Sequence, residues 1–258
     1  MLEVGEHIGW DHGEAQVYAA CWQGRPAVLK RHRQPHKFAR ELYGYRTWPA
    51  HLPQLLHSVP ERLELVLERR PGECALLVSP TPDLYWAAGA ALRVLHDAAP
   101  LAIPFDTGRH DLERLMNAFV PRAASWIDPA QVQRVEAMTR AALSGPFPAV
   151  VLRHGDYTAR NWLWDGSRLT VIDVEHARPG PAVLDTAKLL NALPDPALAQ
   201  AFQSGYGRGW TAEEHALLRA VRCFDALALA VWCAEHTDRA GYEQSTATLT
   251  GLLSSAVS

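Results

Sequence analysis

His154-Gly155-Asp156-Tyr157-Thr158-Ala159-Arg160-Asn161, followed by Ile172-Asp173-Val174-Glu175, decides how this chain is read. These 22 residues gather one aspartate placed to accept a proton and three oxygen-bearing side chains of the kind that hard cations prefer. The run between the two clusters, Asn161-Trp162-Leu163-Trp164-Asp165-Gly166-Ser167-Arg168-Leu169-Thr170-Val171-Ile172-Asp173, is two apolar stretches around Asp-Gly. Such a pattern predicts a β-hairpin. With a loop of two, three or four residues starting at Asp165, Asn161 falls opposite Thr170, Val171 or Ile172, so every register brings it near Asp173.

Upstream, Ala149-Val150-Val151-Leu152 reads as a short buried strand that delivers His154-Gly155-Asp156 onto a loop, where Gly155 lets the chain turn. Asp156 then faces the open end of the hairpin, where it can orient a hydroxyl and take its proton. Asn161 and Asp173 together suit magnesium, which takes one or two protein oxygens and fills its remaining positions with water and phosphate. Read singly, Asp156 fits an ordinary turn and Asp173 a strand-end cap. The ordered set with its hairpin points to phosphoryl transfer.

The pattern resembles the aminoglycoside phosphotransferase and choline kinase-like family, relatives of the protein kinases in which HGDxxxxN and an ID-x-D/E element mark the site. The resemblance implies an α+β, two-lobed protein kinase-like fold: a small N-lobe with an antiparallel sheet and a helix, and a larger, mostly helical C-lobe. It implies that Asp156 is the catalytic base, that Asn161 and Asp173 hold Mg2+, that Glu175 assists near a second metal or the substrate, and that His154 supports the loop. Only the HGDYTARN and VIDVE portions are specific, although the resemblance runs through nearly the whole chain.

Pro26-Ala27-Val28-Leu29-Lys30 is an apolar strand ending in one of three lysines, the others being Lys37 and Lys188. In the following segment Phe38, Leu42 and Tyr45 recur at helical spacing, with Glu41 beside that stripe. A carboxylate pointing inward needs a cation, and Lys30 is the natural one, although a surface lysine and a solvated glutamate are the plain alternatives. The resemblance implies that Lys30 contacts the nucleotide phosphates and that Glu41 fixes it.

Leu63 to Leu67 forms a strand that stops at Pro71-Gly72. By resemblance this is a hinge at about 66–71, with backbone between Glu68 and Arg70 holding the adenine edge. Lobes of 1–70, binding nucleotide, and 71–258, carrying the catalytic loop and acceptor site, follow. Gly9 and Gly13 resemble a loose phosphate-covering loop, with backbone amides of His12 to Gln16 in that role.

A chain of 258 residues, 48% hydrophobic, can bury a large core and suits one two-lobed catalytic unit. No long apolar span or export-like N-terminus is present, so no membrane association and a cytoplasmic location are expected. The scattered cysteines Cys21, Cys74, Cys223 and Cys233 read as reduced, packed thiols. A net charge of -3 without a basic run argues against nucleic acid as a partner; the small patch Arg31, His32, Arg33 and His36 reads as a solvated edge.

Leu84 to His96 predicts a core helix with a structural His96, and residues 109 to 143 one or two more helices interrupted at Pro121. Asp185 opens another helix; the resemblance makes it a support for the catalytic loop. The remainder is helical. Residues 181 to 258 carry eight acids against five Lys/Arg, and Glu235 and Asp238, after a buried helix, are the acids expected to grip a basic acceptor. Trp232 and Tyr206 offer instead an apolar or sugar-stacking pocket.

The expected activity is transfer of the gamma-phosphoryl group of ATP or GTP to a hydroxyl of a small molecule, an antibiotic such as an aminoglycoside or a related basic compound. Alternatives are a metabolic kinase for an amino alcohol, sugar or amino acid, a catalytically silent nucleotide-binding scaffold, and a metal-dependent phosphohydrolase. The last leaves Lys30, Glu41 and the hinge unexplained. A monomer or weak dimer is expected.

Overall fold

The computed structural model describes residues 1–9, 15–48, 51–98, 107–193 and 195–255. The chain runs β1 (Leu2–His7), β2 (Ala15–Trp22), β3 (Arg25–His32), α1 (Pro35–Thr47), β4 (Leu55–Val59), β5 (Glu64–Glu68), β6 (Glu73–Cys74) and α2 (Pro82–Asp97). It continues through α3 (Thr107–Ala123), α4 (Pro129–Ser144), β7 (Val150–Arg153), β8 (Trp162–Trp164), β9 (Leu169–Val171) and β10 (Arg178–Pro181). Four helices close it: α5 (Ala187–Ala192), α6 (Pro196–Tyr206), α7 (Ala212–Glu235) and α8 (Arg239–Ser254). The α+β class expected from the sequence holds.

By compactness the chain divides into two units. The first comprises Met1–Pro100, His154–Arg178 and Ala197–Gly207. Its five-stranded antiparallel sheet has the order β1-β2-β3-β5-β4. On β3, Ala27 and Leu29 pack with Val66 of β5, while Lys30 and His32 belong to the opposite face because successive side chains alternate. Helix α1 opens with proline at its first turn, where a missing N–H costs nothing. Its buried residues, Lys37, Phe38, Glu41, Gly44 and Tyr45, fall three or four apart on one side. Gly44 is needed there: a Cβ would come within 2.8 Å of Val174 Cγ2.

The predicted hairpin forms with the longest of its three loops. Trp162, Leu163 and Trp164 pair with Val171, Thr170 and Leu169, and the Ile172 amide donates to Asn161 O at 2.9 Å. Asp165 selects this loop, because its Oδ1 accepts from the amides of Ser167 and Arg168 at 2.9 and 2.7 Å. A third strand joins the hairpin unannounced: β6 pairs with β8, and Gly72, at φ +114°, passes so close that a Cβ would lie 2.9 Å from the Trp164 backbone. Two residues carry no periodicity to read.

Helix α2 packs beneath this sheet, with Tyr85 edge-on to Trp162 and the Tyr157 hydroxyl donating to Ala88 O at 2.7 Å. It crosses α6 at two glycines, since a Cβ on Gly89 or Gly205 would collide with the other helix's backbone. His96 is buried there with Nδ1 2.9 Å from the Tyr206 hydroxyl. Tyr206 is therefore core, not the wall of a pocket.

The second unit comprises Leu101–Arg153, Pro179–Pro196 and Arg208–Ser258. Its core packs α3, α4, α7 and α8 through residues such as Met116, Val135, Val221, Phe224, Leu227 and Leu249. Thr211 and Glu214 form a capping box at the start of α7. Pro121, expected to interrupt the helical pattern, instead sits inside α3 near its end, where the bond it removes is the one to the carbonyl of Asn117, four residues earlier and on an exposed residue. Strands β7 and β10 pair, and the four cysteines are unbridged.

Candidate active site

Strand β7 ends at Arg153, and the next three residues turn sharply. Gly155 has φ +83°, and a Cβ there would collide with the His176 carbonyl, so glycine is required on both counts. His154 is fully buried; its Nε2 lies 3.1 Å from Ile172 O and its Nδ1 accepts from the Asp156 amide at 3.3 Å. These contacts fix the tautomer with hydrogen on Nε2, and they tie the loop to the residue preceding Asp173.

Asp156 is nearly buried. Its Oδ2 accepts from Asn161 Nδ2 at 2.9 Å and from Arg160 Nε at 3.2 Å, with Arg160 Nη2 closer still. Asn161 Nδ2 also donates to the Asp156 carbonyl at 2.8 Å, an orientation that leaves its carbonyl oxygen for another partner. Asp173 follows the hairpin at φ +62°, a left-handed conformation that aspartate tolerates better than most residues and that recurs at functional sites.

Lys30 Nζ lies 2.7 Å from Asp173 Oδ1, 2.8 Å from Glu41 Oε2 and 3.4 Å from Glu175 Oε2. Burial alone would pull its ammonium down, but Glu41, Asp173 and Glu175 outweigh that and hold it well above the ordinary lysine value. Burial pushes the Asp173 carboxyl up, and Lys30 more than reverses this, leaving it at about 2. Asp173 nevertheless keeps 40% of its side chain open. That exposure, and the all-oxygen donor set it shares with Asn161, fit a hydrated magnesium ion.

At the proposed hinge, the Glu68 amide donates to Gln54 O at 2.8 Å and the Arg69 amide to Pro26 O at 3.3 Å. The Arg70 amide has no hydrogen-bond partner among the described residues. Its guanidinium lies 3.2 Å from Glu68 Oε2. Residues 10–14, which carry most of the expected phosphate-covering loop at His12 to Gln16, lie outside the described residues.

The sequence profile described as the phosphotransferase enzyme family matches residues 9–218. The chain belongs to that family. Solved structures similar to this phosphotransferase include a choline/ethanolamine kinase family protein from Mesorhizobium loti, at 18% identity over 96% of this chain and 87% of that one, TM-score 0.72. The macrolide 2'-phosphotransferase MphH from Brachybacterium faecium is 21% identical over 96% of this chain and 91% of that one, TM-score 0.62. A thermostable mutant of the aminoglycoside phosphotransferase APH(4)-Ia, in ternary complex with ADP and hygromycin B, is 18% identical over 99% of this chain and 95% of that one, TM-score 0.74. These likenesses establish the kinase-like fold. No match was found among curated protein sequences. The chain is a phosphotransferase with a hydroxyl acceptor, a small-molecule kinase.

Three further polar residues meet the carboxylates of the candidate site, none of them assigned to it from the sequence. Lys37 Nζ donates to Glu175 Oε1 at 2.9 Å; it stands one helical turn before Glu41, and its rarity as a lysine was the available signal. His32 lies two residues beyond Lys30 on the same face of β3, with Nε2 2.7 Å from Glu41 Oε2 and Nδ1 3.6 Å from Glu175 Oε2. Alternation along the strand could have found it. Arg160, inside the quoted stretch, holds Asp156. His32, Glu41 and Glu175 bring ligand atoms within 4.8 Å of one another, but Lys30 and Lys37 already answer both carboxylates. The cluster is an ion-pair network.

The remaining expected residues lie in the second unit. Asp185 Oδ1 is 3.9 Å from Arg153 Nη1, both side chains buried, and a Cβ on Gly180 would strike the Arg153 side chain. Asp185 thus braces the residue that immediately precedes His154. Glu235 is paired with Arg122. Asp238 caps α8, its Oδ1 accepting from the Gly241 amide at 2.9 Å. Trp232 is half exposed and stacks on His236.

Proposed function

We propose that this phosphotransferase moves the gamma-phosphoryl group of ATP or GTP to a hydroxyl of an antibiotic such as an aminoglycoside or a related basic compound. The observation that carries the reading is the convergence of Asp156, Asn161 and Asp173: Asn161 bonds Asp156 at 2.9 Å and closes the hairpin beside Asp173, which meets Lys30 at 2.7 Å. Asp156 takes the acceptor's proton as its oxygen bonds to the gamma phosphorus, and the bond to the bridging oxygen breaks with its electrons leaving on the nucleoside diphosphate. Asn161 and Asp173 would hold magnesium, which when bound neutralises charge on the phosphates. Lys30, kept cationic by Glu41, would exchange part of its contact with Asp173 for the nucleotide phosphates.

The proposed division has a nucleotide-binding lobe at 1–70, a hinge at about 66–71 offering the Arg70 amide and the Glu68 backbone to the adenine, and an acceptor lobe at 71–258. Glu175, locked to Lys37 and Lys30, orders the segment behind the metal ligands. A cytoplasmic location fits a reaction that consumes nucleoside triphosphate. None of the described helices is long and apolar enough to cross a membrane.

Glu235 and Asp238 remain the acids proposed for a basic acceptor, although each already has a partner, so a polycation would have to displace Arg122 from Glu235. That engagement favours a second reading in which the acceptor is an amino alcohol, sugar or amino acid. The neighbours' acceptors, hygromycin B in one and a macrolide in another, support a small hydroxyl acceptor without choosing between the two readings. Incubation with labelled ATP or GTP, magnesium and panels of aminoglycosides, macrolides and hydroxyl metabolites, with mass spectrometry of the product, tests both. Phosphorylation of an aminoglycoside supports the first, and of metabolites alone the second. Magnesium-dependent nucleotide binding without turnover on any acceptor would leave a silent scaffold.

A further inference from the structure

We infer that Arg160 is a positioning residue for phosphoryl transfer, holding the Asp156 carboxylate by Oδ2 so that the carboxylate plane stays directed at the incoming hydroxyl. The inference rests on the kinase reading of this site and adds a residue to it.

Asp156 Oδ2 collects three side-chain donors, two from the Arg160 fork and one from Asn161. Both Arg160 N–H groups meet the same oxygen, so with Asn161 they pin the place of Oδ2, and that place sets the rotation of the carboxylate about its Cβ–Cγ bond. Arg160 reaches back from a 3-10 turn, Ala159–Asn161, closed by the Asn161 amide on Thr158 O at 2.9 Å. The Arg160 carbonyl in turn receives Cys74 Sγ at 3.4 Å, from β6. The backbone carrying the guanidinium is therefore held from both sides while the side chain itself is more than half exposed.

That exposure separates positioning from support of the fold, because removing the side chain opens no internal cavity. Placement also suits the chemistry. Burial works against the Arg160 charge, but Asp156, then Asp173 and Glu175, more than offset it, so the guanidinium shares the field of both the proposed base and the proposed metal ligand. In a loose transition state catalysis is mainly positioning, and a fixed carboxylate direction matters more than strong basicity.

The test compares wild type, Arg160→Ala, Arg160→Lys and Asp156→Asn, using magnesium-ATP or magnesium-GTP with the best acceptor from the panel, or water as acceptor. Arg160→Ala is expected to lower kcat about 10–100-fold, with nucleotide affinity unchanged and only a small fall in the unfolding midpoint, because Asn161 still bonds Asp156 Oδ2. Added guanidinium ion should restore part of that rate in Arg160→Ala and none in Asp156→Asn. Lysine should restore less than the full rate, since it has no fork. A kcat within about twofold of wild type, or a loss shared equally by nucleotide affinity and stability, would overturn the inference while leaving the kinase reading intact. Wild-type protein that neither binds nor consumes magnesium-nucleotide would overturn both.

Discussion

The Lys37 ammonium donates to Glu175 at 2.9 Å from the same side of α1 that sets Glu41 2.8 Å from Lys30. One helix thus contributes a base to the segment behind Asp173 and an acid to the strand lysine, so displacement of α1 would disturb both. Gly44, one turn beyond Glu41, lets the helix approach Val174 closely enough for the two pairs to close.

Lys37→Met is expected to destabilise the protein by about 2–4 kcal/mol, because it leaves a buried carboxylate short of its nearest cation. Lys30 at 3.4 Å and His32 at 3.6 Å still face Glu175, which puts the cost toward the lower figure. Adding Glu175→Gln should recover part of the loss. Urea unfolding of the two single variants and the double variant checks the coupling; strict additivity would show that the pair does not act as one.

Asp156→Asn should lower turnover by about 10²–10⁴-fold, the range of a lost general base, while nucleotide affinity stays close to wild type. The amide keeps the shape of the side chain but cannot take the hydroxyl's proton. Single-turnover rates with labelled nucleotide, beside equilibrium nucleotide binding, separate the two effects. An unchanged rate removes Asp156 from the mechanism.

Gly155→Ala meets the His176 carbonyl and a φ of +83° together. Backbone strain alone costs about 1–3 kcal/mol, and relieving the collision moves the adjacent Asp156. Activity should therefore fall further than stability does. Thermal unfolding and kcat on the same preparation test this, and a variant that loses stability with full residual kcat would show that the turn tolerates the shift.

What the sequence made legible was whatever rests on local chemistry. Asp-Gly between apolar runs specified the hairpin, and the side-chain oxygen of Asp165, which turns back onto two amides, selected a four-residue loop that counting alone left open among three. Lys30 and Glu41 were readable as a pair because an inward carboxylate demands a cation. His32 and Lys37 follow from the same periodicities, but locally His32 reads as part of a basic patch and Lys37 only as one of three lysines. Strand β6 and the glycine crossings of α2 with α6 depend on tertiary approach, which no local pattern encodes. The acids of the C-terminal region were visible only as an excess of charge, and their engagements with Arg122 and with the amides of α8 required coordinates.

The Lys30–Asp173 pair gives a pH dependence whose sign can be worked out. In the folded protein the Asp173 carboxyl stands at about 2, below the roughly 3.9 of an unfolded aspartate. A depressed carboxyl contributes stability that is fully present above the unfolded value and is lost as pH falls through the folded one. Asp173→Asn should therefore be less stable than wild type between about pH 5 and 8, and the difference should shrink as pH drops from about 4 toward 2. Lys30 does not cancel the effect, since it remains charged throughout that window. Urea midpoints measured against pH for the two proteins provide the check. A stability difference that stays constant down to pH 2 would mean that Asp173 acts through its shape rather than its charge.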